Sequence, residues 1–468
     1  MNYGTRACPE PVHMKKGRQG DMMRGQRVTV VGARRSGLAA AGLLEALGAT
    51  VFVSDSGAIN KAQQAKFVDL GVESEWGGHT ERADDCELMV LSPGVSSETA
   101  LVERAIENGI PVISEVELAY RHCRAPIVAI TGSNGKTTTT TLTGHLIRAS
   151  GRTTYVAGNI GAPFSDIALQ AGPADVVVLE VSSFQLDHIA RFRPRVSTIL
   201  NITPDHLDRY SGDFEAYARS KCRIFENQEG ADALITNADD DVLVRLTGDA
   251  ADKLTHHEIS LEREVPLGGF LDNEELVIRL EDEEMRMPIE EVPLKGRHNL
   301  YNSLAAAVAA RIMEVRSDVI RESMASFQGV AHRLELVREL DGVAYYNDSK
   351  ATNVNAVWYA LESFSEPIVL IAGGRDKGND YEPLRDLVRR KVKTLIALGE
   401  GAPKIVEVLG PEARQVIEAD SLESAVRTAR VLAEDGDVVL LSPACASFDM
   451  FENYEDRGDT FRRLVASL

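Results

Sequence analysis

The sequence predicts an α/β protein with three domains, each built around a mainly parallel β-sheet. The chain has 468 residues, more than one hydrophobic core holds, and about 150 residues per domain gives three domains. From Val28 to the C-terminus, short apolar runs typical of buried strands alternate with helical segments. Glycine, hydroxyl or charged residues follow several of these runs, as is typical of parallel sheets that bind ligands at the carboxyl ends of their strands. We place the domains at residues 25–114, 115–329 and 330–468.

The composition of the chain argues against several classes of protein. Its 44% hydrophobic and 26% charged residues are typical of a globular protein, and no apolar run reaches the roughly 18 residues of a membrane-spanning helix. A net charge of −20 argues against a surface for nucleic acid or anionic membrane. The five cysteines are scattered and form no C-x-x-C pair, which fits a reducing cytoplasm and argues against structural zinc. Residues 1–24 lack the apolar segment of a secretory signal, and we expect either a disordered extension or a start site placed too early, since Met22 and Met23 lie just before the first strand.

The first domain begins with a nucleotide-binding βαβ pattern. A strand, a glycine turn, a helix and a second strand follow one another from Val28 to Asp55. The turn Gly32–Gly37 has Arg34 where the dinucleotide fingerprint has its second glycine, so NAD is disfavoured. Asp55 is either a contact to a sugar or base, or a surface carboxylate at a strand end. Ser92-Pro93-Gly94 follows a later strand and is predicted to lie beside the same crevice.

The second domain begins with the pattern of a phosphate-binding loop. The apolar strand Ile127–Thr131 leads into Gly132-Ser133-Asn134-Gly135, and Lys136-Thr137-Thr138 then starts a helix. In this order of elements, backbone N–H groups and the positive end of the helix point at an anion. Lys136 adds a positive charge, and the Thr137 hydroxyl can ligate Mg²⁺. The usual motif has a further glycine at the position of Ile130, so only the GKT end matches.

Polar residues follow the later strands of this domain. Asn159 lies in a glycine turn after a short strand, where its amide can face a ligand. Glu180 ends the apolar strand Asp175–Glu180, and an acid at that point positions Mg²⁺ in phosphate-loop enzymes. His206 follows another strand. A lone histidine is more often structural, but the carboxyl ends of parallel strands converge on the crevice that holds the phosphate.

Three further residues of the second domain have an ordinary explanation beside a functional one. By composition, Lys221 on the helix Phe214–Phe225 is a solvated lysine that pairs with a nearby glutamate. Asn299 and Asn302 are spaced i and i+3 at the start of an alanine-rich helix, so they share one face. They can bind the edge of an adenine together, or serve as a helix cap and a surface residue.

In the third domain, unusual residues follow three strands. The segments are Asn347–Asn353 (NDSKATN), Gly373–Lys377 (GGRDK) and Ser442–Asp449 (SPACASFD). Basic and hydroxyl groups in loops on one sheet edge, in a protein of net charge −20, predict a pocket for a small carboxylate compound. The alternative is that these are turns selected for backbone geometry alone.

The chain resembles the Mur ligases from about Arg27 to the C-terminus. The resemblance rests on the motifs TGSNGKTT (131–138), EVSSFQL (180–186), NITPDHLDRY (201–210), GRHNLYNSLAAA (296–307), HRLE (332–335), NDSKATN (347–353) and LSPACASFDMF (441–451). NDSKATN is the most discriminating, because sister ligases that add L-alanine, a diamino acid or D-Ala-D-Ala carry a different motif there. The resemblance implies a Rossmann-like domain for a UDP substrate, a central P-loop ATPase and a Rossmann-like C-terminal domain for an amino acid.

The activity implied by the resemblance is ATP-dependent addition of D-glutamate to UDP-N-acetylmuramoyl-L-alanine through an acyl phosphate. It is a cytoplasmic step of peptidoglycan precursor synthesis, and we expect a monomer. The implied catalytic residues are Lys136, His206, Lys221 and Lys350. The implied ligands of two Mg²⁺ ions are Thr137, Glu180, His206 and Lys221, the last as a carbamate, which forms only on a neutral amine.

The resemblance also implies contacts to each substrate. Those to ATP are Gly132, Asn134, Gly135, Lys136, Thr137, Thr138, Asn299, Asn302, Arg333 and Asp348. Those to the UDP-sugar are Asp55, Ser92, Gly94 and Asn159, and those to D-glutamate are Lys350, Thr352, Lys377, Ser447 and Tyr454. Tyr454 stands where the family more often has Phe.

Other classes explain the sequence less well. A sister Mur ligase shares the mechanism, and a folylpolyglutamate-type ligase shares the ATPase but lacks an N-terminal UDP-binding domain. A GTPase-type switch needs an N-K-x-D motif, which does not occur in the chain. A nicotinamide dehydrogenase is disfavoured by Arg34.

Overall fold

A computed structural model describes residues 23–248, 253–281, 283–294 and 296–468. Residues 1–22, which make up nearly all of the predicted N-terminal extension, lie outside the described residues.

The chain folds as an α/β protein around three mainly parallel sheets, as predicted. The strands are β1 (Arg27–Val31), β2 (Thr50–Asp55), β3 (Glu73–Trp76), β4 (Leu88–Leu91), β5 (Val112–Ser114), β6 (Ile127–Thr131), β7 (Thr154–Gly158), β8 (Val176–Glu180), β9 (Val196–Ile199), β10 (Gly230–Asn237), β11 (Leu254–Ser260), β12 (Gly268–Asp272), β13 (Glu275–Leu280), β14 (Glu283–Pro288), β15 (Glu335–Leu340), β16 (Val343–Asn347), β17 (Ile368–Gly373), β18 (Val392–Leu398), β19 (Gln415–Ala419) and β20 (Val438–Leu441). The helices are α1 (Arg35–Ala46), α2 (Lys61–Asp69), α3 (Ala100–Glu107), α4 (Glu115–Tyr120), α5 (Lys136–Ala149), α6 (Phe164–Ile167), α7 (Ser183–Leu186), α8 (Phe214–Cys222), α9 (Asp241–Thr247), α10 (Arg297–Ile312), α11 (Ser317–Ala325), α12 (Val354–Glu362), α13 (Arg385–Lys391), α14 (Ala402–Leu409), α15 (Leu422–Leu432) and α16 (Tyr454–Ala466).

The first sheet has the strand order β3-β2-β1-β4-β5, and its strand pairs are parallel. Its central strand β1 buries Val28, Val30 and Val31, which point to both faces, as expected for a parallel strand covered by helices on each side. The loops after β1, β2 and β4 leave the same edge of the sheet. This is the edge at which Rossmann-like sheets bind nucleotides.

The second sheet has the order β14-β13-β12-β11-β10-β9-β6-β8-β7. β6 lies between β8 and β9 and is parallel to both. The phosphate loop therefore leaves the same sheet edge as the segments that carry Glu180 and His206. Towards the far edge β12 pairs antiparallel with β13.

The third sheet has the order β15-β16-β20-β17-β18-β19. Only β15 runs antiparallel to its neighbour among the strand pairs described. β16, β20 and β17 are adjacent, so the three unusual segments of the third domain follow neighbouring strands.

The chain divides into two compact units, which are described separately below. The first comprises residues up to Arg286 together with 304–321, and the second comprises 287–303 and 322–468. The first unit holds the first two sheets, and the predicted boundaries near Ser114 and Gly329 stay predictions. Among the helices that the structure describes, none is both long and apolar enough to cross a membrane.

Candidate active site

The phosphate loop joins β6 to α5 and is held by hydrogen bonds from within the first unit. Gly135 adopts a left-handed conformation (φ +83°) at the start of α5, which only glycine adopts without strain. Lys136 Nζ donates to the carbonyls of Gly132 and Ser133, at 2.7 and 2.8 Å. Asn201 accepts from the Asn134 N–H at 2.8 Å and donates to its carbonyl at 3.1 Å. The loop is thus fixed before any phosphate binds.

Thr137 and Glu180 form a pair of oxygen ligands beside this loop. The Thr137 hydroxyl donates to Glu180 Oε2 at 2.8 Å, and Asn159 Nδ2 donates to Glu180 Oε1 at 2.8 Å. Glu180 is 2% exposed. Oxygen ligands of this kind suit Mg²⁺, which takes one or two carboxylates and completes its shell with phosphate and water. The pair therefore fits the predicted metal, although no cluster of three His, Cys, Asp or Glu side chains with metal-binding geometry occurs in the ranges the structure describes.

Lys221 is buried, so the solvated lysine favoured by composition is wrong. It is 2% exposed, and its Nζ donates to the Gly132 carbonyl at 2.9 Å and lies 4.7 Å from the centre of the Tyr217 ring. Burial lowers the pKa of Lys221 well below its ordinary value, and the charge of Lys136 adds to this effect, while Asp205 and Glu180 oppose it. The neutral amine needed for a carbamate is therefore favoured at this position.

His206 lies on the same sheet edge in a half-exposed position. Its backbone is left-handed (φ +52°), and its ring lies edge-on to Phe184 with 5.3 Å between ring centres. Partial burial lowers the pKa of His206, and the charges of Lys136 and Lys221 add to this, while Asp205 opposes it. The neutral ring that a metal needs is favoured.

A cleft of about 920 Å³ lies at the nucleotide-binding edge of the first sheet. Its lining includes all four predicted contacts to the UDP-sugar, Asp55, Ser92, Gly94 and Asn159. Asp55 accepts the backbone N–H of Ala33 through Oδ2 and that of Gly57 through Oδ1, both at 2.7 Å. Asp55 thus fixes the glycine turn as well as lining the cleft, and each of its oxygens keeps a second lone pair.

In the second unit, three loops meet at the carboxyl ends of β16, β20 and β17. The Ala444 N–H donates to the Ala351 carbonyl at 2.9 Å, and Arg375 and Ala446 exchange two backbone hydrogen bonds of 2.8 and 3.1 Å. The buried Arg457 joins the same loops, because its guanidinium donates to the Ser349 hydroxyl and carbonyl, both at 2.9 Å, to the Cys445 carbonyl at 3.2 Å and to the Gly373 carbonyl at 3.5 Å. The three loops therefore all contact the guanidinium of Arg457, which was not among the site residues predicted from the sequence.

The predicted residues in these loops differ in exposure. Asp348 is 1% exposed and accepts from the Ser442 hydroxyl at 2.8 Å, and burial raises its pKa to about 6 although Arg333 opposes this. Lys350 Nζ lies 3.2 Å from the Tyr454 hydroxyl. The other predicted residues are Thr352, which is half-buried, Lys377, which is exposed, and Ser447, which is buried.

Asn299 and Asn302 are both buried on α10. Asn302 Nδ2 donates to Asn299 Oδ1 at 2.9 Å, so they share one face as predicted. The surface location that was the alternative for Asn302 is excluded.

Asn201, Tyr217 and Arg457 were missed in the sequence. Asn201 had a detectable signal, because it lies two residues after the end of the buried strand β9. Tyr217 donates to or accepts from the Ser133 hydroxyl at 2.9 Å, and neither it nor Arg457 has a sequence pattern that distinguishes it from a core residue or a surface residue.

Models of three protein families match the chain. The "MurD N-terminal domain" matches residues 27–101, the "Mur ligase middle domain" 130–310, and the "Mur ligase, glutamate ligase domain" 332–445. The UDP-N-acetylmuramoylalanine--D-glutamate ligase of Salinibacter ruber is 56% identical over 457 residues, which cover 96% of this chain and 99% of the relative. The ligase of the same name from Chloroherpeton thalassium is 45% identical and covers 95% of this chain and 99% of the relative.

Solved structures share the fold at lower identity. The UDP-N-acetylmuramate-alanine ligase of Thermotoga maritima is 18% identical with a TM-score of 0.59, over 94% of this chain and 99% of that one. A pseudomurein peptide ligase from Methanothermus fervidus is 20% identical with a TM-score of 0.59, over 95% of this chain and 100% of that one.

Proposed function

The chain belongs to the family of UDP-N-acetylmuramoylalanine--D-glutamate ligases, and from this premise we propose how its own residues carry the reaction. It is an ATP-dependent ligase that adds D-glutamate to UDP-N-acetylmuramoyl-L-alanine in peptidoglycan precursor synthesis. The observation that carries this conclusion is the close likeness to named ligases over nearly the whole chain, from the UDP-substrate domain to the glutamate ligase domain. We place the reaction in the cytoplasm and expect a monomer.

The first step activates the carboxylate of the alanyl group. One carboxylate oxygen attacks the γ-phosphorus of ATP, the bond between that phosphorus and the β,γ-bridging oxygen breaks, and an acyl phosphate and ADP result. The N–H groups of the loop from Gly132 to Thr138 and the positive end of α5 stabilise the charge on the phosphates. Lys136 adds its charge, and to do so it exchanges its bonds to the loop carbonyls for bonds to phosphate oxygens.

We propose that Thr137 and Glu180 hold Mg²⁺ and that His206 and Lys221 provide ligands for a second ion. When bound, Mg²⁺ supplies positive charge that stabilises the oxygens of the transferring phosphoryl group. Thr137 and Asn159 already orient the Glu180 carboxylate by hydrogen bonds to both of its oxygens. Glu180 therefore needs little reorganisation to ligate the ion through a free lone pair.

Lys221 is proposed to act as a carbamate. Its neutral amine attacks CO₂, a C–N bond forms, and one proton leaves, which replaces a cation by an anionic pair of oxygens. The proposal is supported by the burial of the amine and by its contact with the phosphate loop at Gly132. An unmodified ammonium at the same place would repel Mg²⁺.

The second step forms the amide. The neutral amine of D-glutamate attacks the acyl carbon, a tetrahedral intermediate forms, its nitrogen loses a proton, and phosphate leaves as the carbonyl is restored. We propose Lys350, Thr352, Lys377, Ser447 and Tyr454 as contacts to D-glutamate, and Asn299, Asn302, Arg333 and Asp348 as contacts to ATP. The shared support of the three loops by Arg457 is consistent with a single amino-acid pocket.

The decisive experiment measures phosphate release from ATP by the purified protein with UDP-N-acetylmuramoyl-L-alanine. D-glutamate, L-glutamate, L-lysine and D-Ala-D-Ala are offered in turn, and release is expected with D-glutamate alone. Phosphate release with another amino acid would indicate that the protein is a sister ligase. Phosphate release with a folate in place of the UDP-sugar would favour a polyglutamate ligase. Lys136→Ala should abolish release while the circular dichroism spectrum is unchanged, and Lys61→Ala, an exposed lysine on α2, serves as the matched control.

A further inference from the structure

His79 lines the cleft that is proposed to hold the UDP-sugar. It follows β3, the edge strand beside β2, and its ring contacts Ser54. Ser54 directly precedes Asp55, the residue that ends β2. His79 therefore lies at the same end of the cleft as Asp55 and Gly57, which also line it.

The hydrogen bonds of Ser54 determine which ring nitrogen of His79 carries the proton. Ser54 Oγ lies 2.7 Å from Glu75 Oε1 and 2.7 Å from His79 Nδ1. Burial raises the pKa of Glu75, but hydrogen bonds from Thr80 and Ser54 outweigh this and lower it, so Glu75 is an ionised carboxylate that only accepts. The single hydroxyl hydrogen of Ser54 goes to Glu75, and Nδ1 of His79 must then donate to the Ser54 oxygen.

This arrangement leaves the other nitrogen as an acceptor. In the uncharged ring, a proton on Nδ1 means a lone pair on Nε2. Within the part of the chain that the structure describes, His79 has no hydrogen bond other than the one to Ser54. The ring edge turned away from Ser54 thus carries one hydrogen-bond acceptor, on a residue that lines the cleft and is held in place through Ser54 and Glu75.

The acceptor suits one part of the proposed substrate. Phosphate oxygens are themselves acceptors and would meet the Nε2 lone pair unfavourably. They are better matched by the glycine turn and Arg34 at the start of α1, which line the same cleft. A uridine has donors that an acceptor can bind, namely N3–H of the uracil and the ribose hydroxyls.

We propose that Nε2 of His79 accepts a hydrogen bond from the uridine part of the UDP-sugar and so helps to select uridine. The inference rests on the proposed function, because it takes the cleft as the UDP site. Ser54 and Glu75 act as positioning residues that fix the ring and its tautomer. The class of ligand is a uridine diphosphate, and the donor is either N3–H or a ribose hydroxyl.

The test is a thermodynamic cycle of protein and ligand changes, measured by isothermal titration calorimetry on the full chain. UDP, N3-methyl-UDP and 2′- and 3′-deoxy-UDP are titrated into the wild type, His79→Ala and His79→Asn. Asn keeps a donor near the position of Nδ1 but has no atom at Nε2. His79→Asn therefore tests the Nε2 contact even if His79→Ala disturbs the loop. Loss of one such hydrogen bond is expected to weaken UDP binding roughly 3- to 10-fold.

The pattern across ligands identifies the donor. If N3–H is the donor, N3-methylation weakens binding to the wild type and does not weaken binding to either His79 variant any further. If a ribose hydroxyl is the donor, the deoxy ligand that lacks it shows the same pattern. Ser54→Ala should produce a smaller loss than His79→Ala, because the ring remains but its tautomer is no longer fixed. Glu81→Gln, an exposed change in the same segment, should bind UDP as the wild type does.

Two results would overturn the inference, and they are distinguishable from failure of the proposed function. A His79→Ala variant that binds UDP like the wild type excludes the contact. A variant that weakens all ligands by one factor, with their ratios unchanged, shows a structural role only. A wild type that binds none of the UDP ligands contradicts the UDP site itself, and with it the proposed function.

Discussion

Glu115 gives the first unit a pH-dependent stability that can be worked out from its surroundings. It is the first residue of α4 and is 1% exposed. Its Oε1 accepts the Ser165 N–H at 2.6 Å, and Oε2 has no hydrogen-bond partner among the residues the structure describes. Burial raises the pKa of Glu115 from 4.5 to about 7, and the nearby Asp166 adds to the effect.

The sign of the effect follows from the proton count. Between pH 4.5 and 7 the unfolded chain has lost this proton while the folded chain keeps it, so raising the pH favours the unfolded state. The contribution of Glu115 to stability is therefore lost as the pH rises through this window, and the loss is nearly complete at about pH 8. With these pKa values the loss between pH 5 and pH 8 is about 2.5 kcal/mol.

Glu115→Gln isolates this contribution, because Gln keeps the acceptor for Ser165 and does not titrate. Urea unfolding of the wild type and the variant at pH 5, 6, 7 and 8 gives their difference in unfolding free energy at each pH. That difference should shift in favour of the variant by about 2 to 3 kcal/mol from pH 5 to pH 8. The exposed Glu103→Gln should show no such shift. A difference between wild type and Glu115→Gln that is the same at every pH would refute the reasoning.

Three further substitutions test the site. Lys221→Met should abolish phosphate release with an unchanged circular dichroism spectrum, and withdrawal of CO₂ from the wild type should lower its rate. Arg457→Lys should lower the unfolding free energy by about 2 to 4 kcal/mol in urea and raise KM for D-glutamate more than KM for ATP, because Lys cannot bond both Ser349 and Cys445. Gly374→Ala should lower the melting temperature and the affinity for D-glutamate, because its Cβ would lie 2.3 Å from the Ala446 carbonyl at a φ of +129°. Gly410→Ala, with ordinary contacts, is its control, and a melting temperature equal to the control would contradict the prediction.

The strands and the phosphate loop could be predicted because they depend on local sequence. Leu88–Leu91 and Val438–Leu441 are continuous apolar runs, and the structure ends both strands where the sequence predicts. The left-handed turn at Gly135 follows from glycine itself. Strand order could not be derived in this way, since nothing in β6 indicates that β8 and β9 are its neighbours. The convergence of Glu180 and His206 on the loop was therefore an expectation that required the fold.

The burial of Lys221 shows why the prediction of a solvated lysine, made from composition, was wrong. A lysine on a short helix is ordinarily solvated, and the sequence of α8 does not show that this face packs on Gly132. Only the resemblance to the family reversed the expectation. Arg457 was missed for the same reason, because a guanidinium that supports three loops looks in sequence like any arginine of an amphipathic helix.

Asp55 and Glu180 are both carboxylates at strand ends, and the donors around them support the different roles predicted for them. Asp55 accepts hydrogen bonds from the backbone N–H groups of Ala33, in the glycine turn, and Gly57, after β2, and neither group can turn away without moving the backbone. Glu180 is bonded by the side chains of Thr137 and Asn159, which can rotate to other partners at small cost. The carboxylate of Glu180 can therefore adjust when an ion binds one of its free lone pairs, whereas that of Asp55 is held by the backbone. This favours Glu180 as the residue that binds a metal ion during turnover, and it assigns Asp55 first to shaping the turn against which the nucleotide binds.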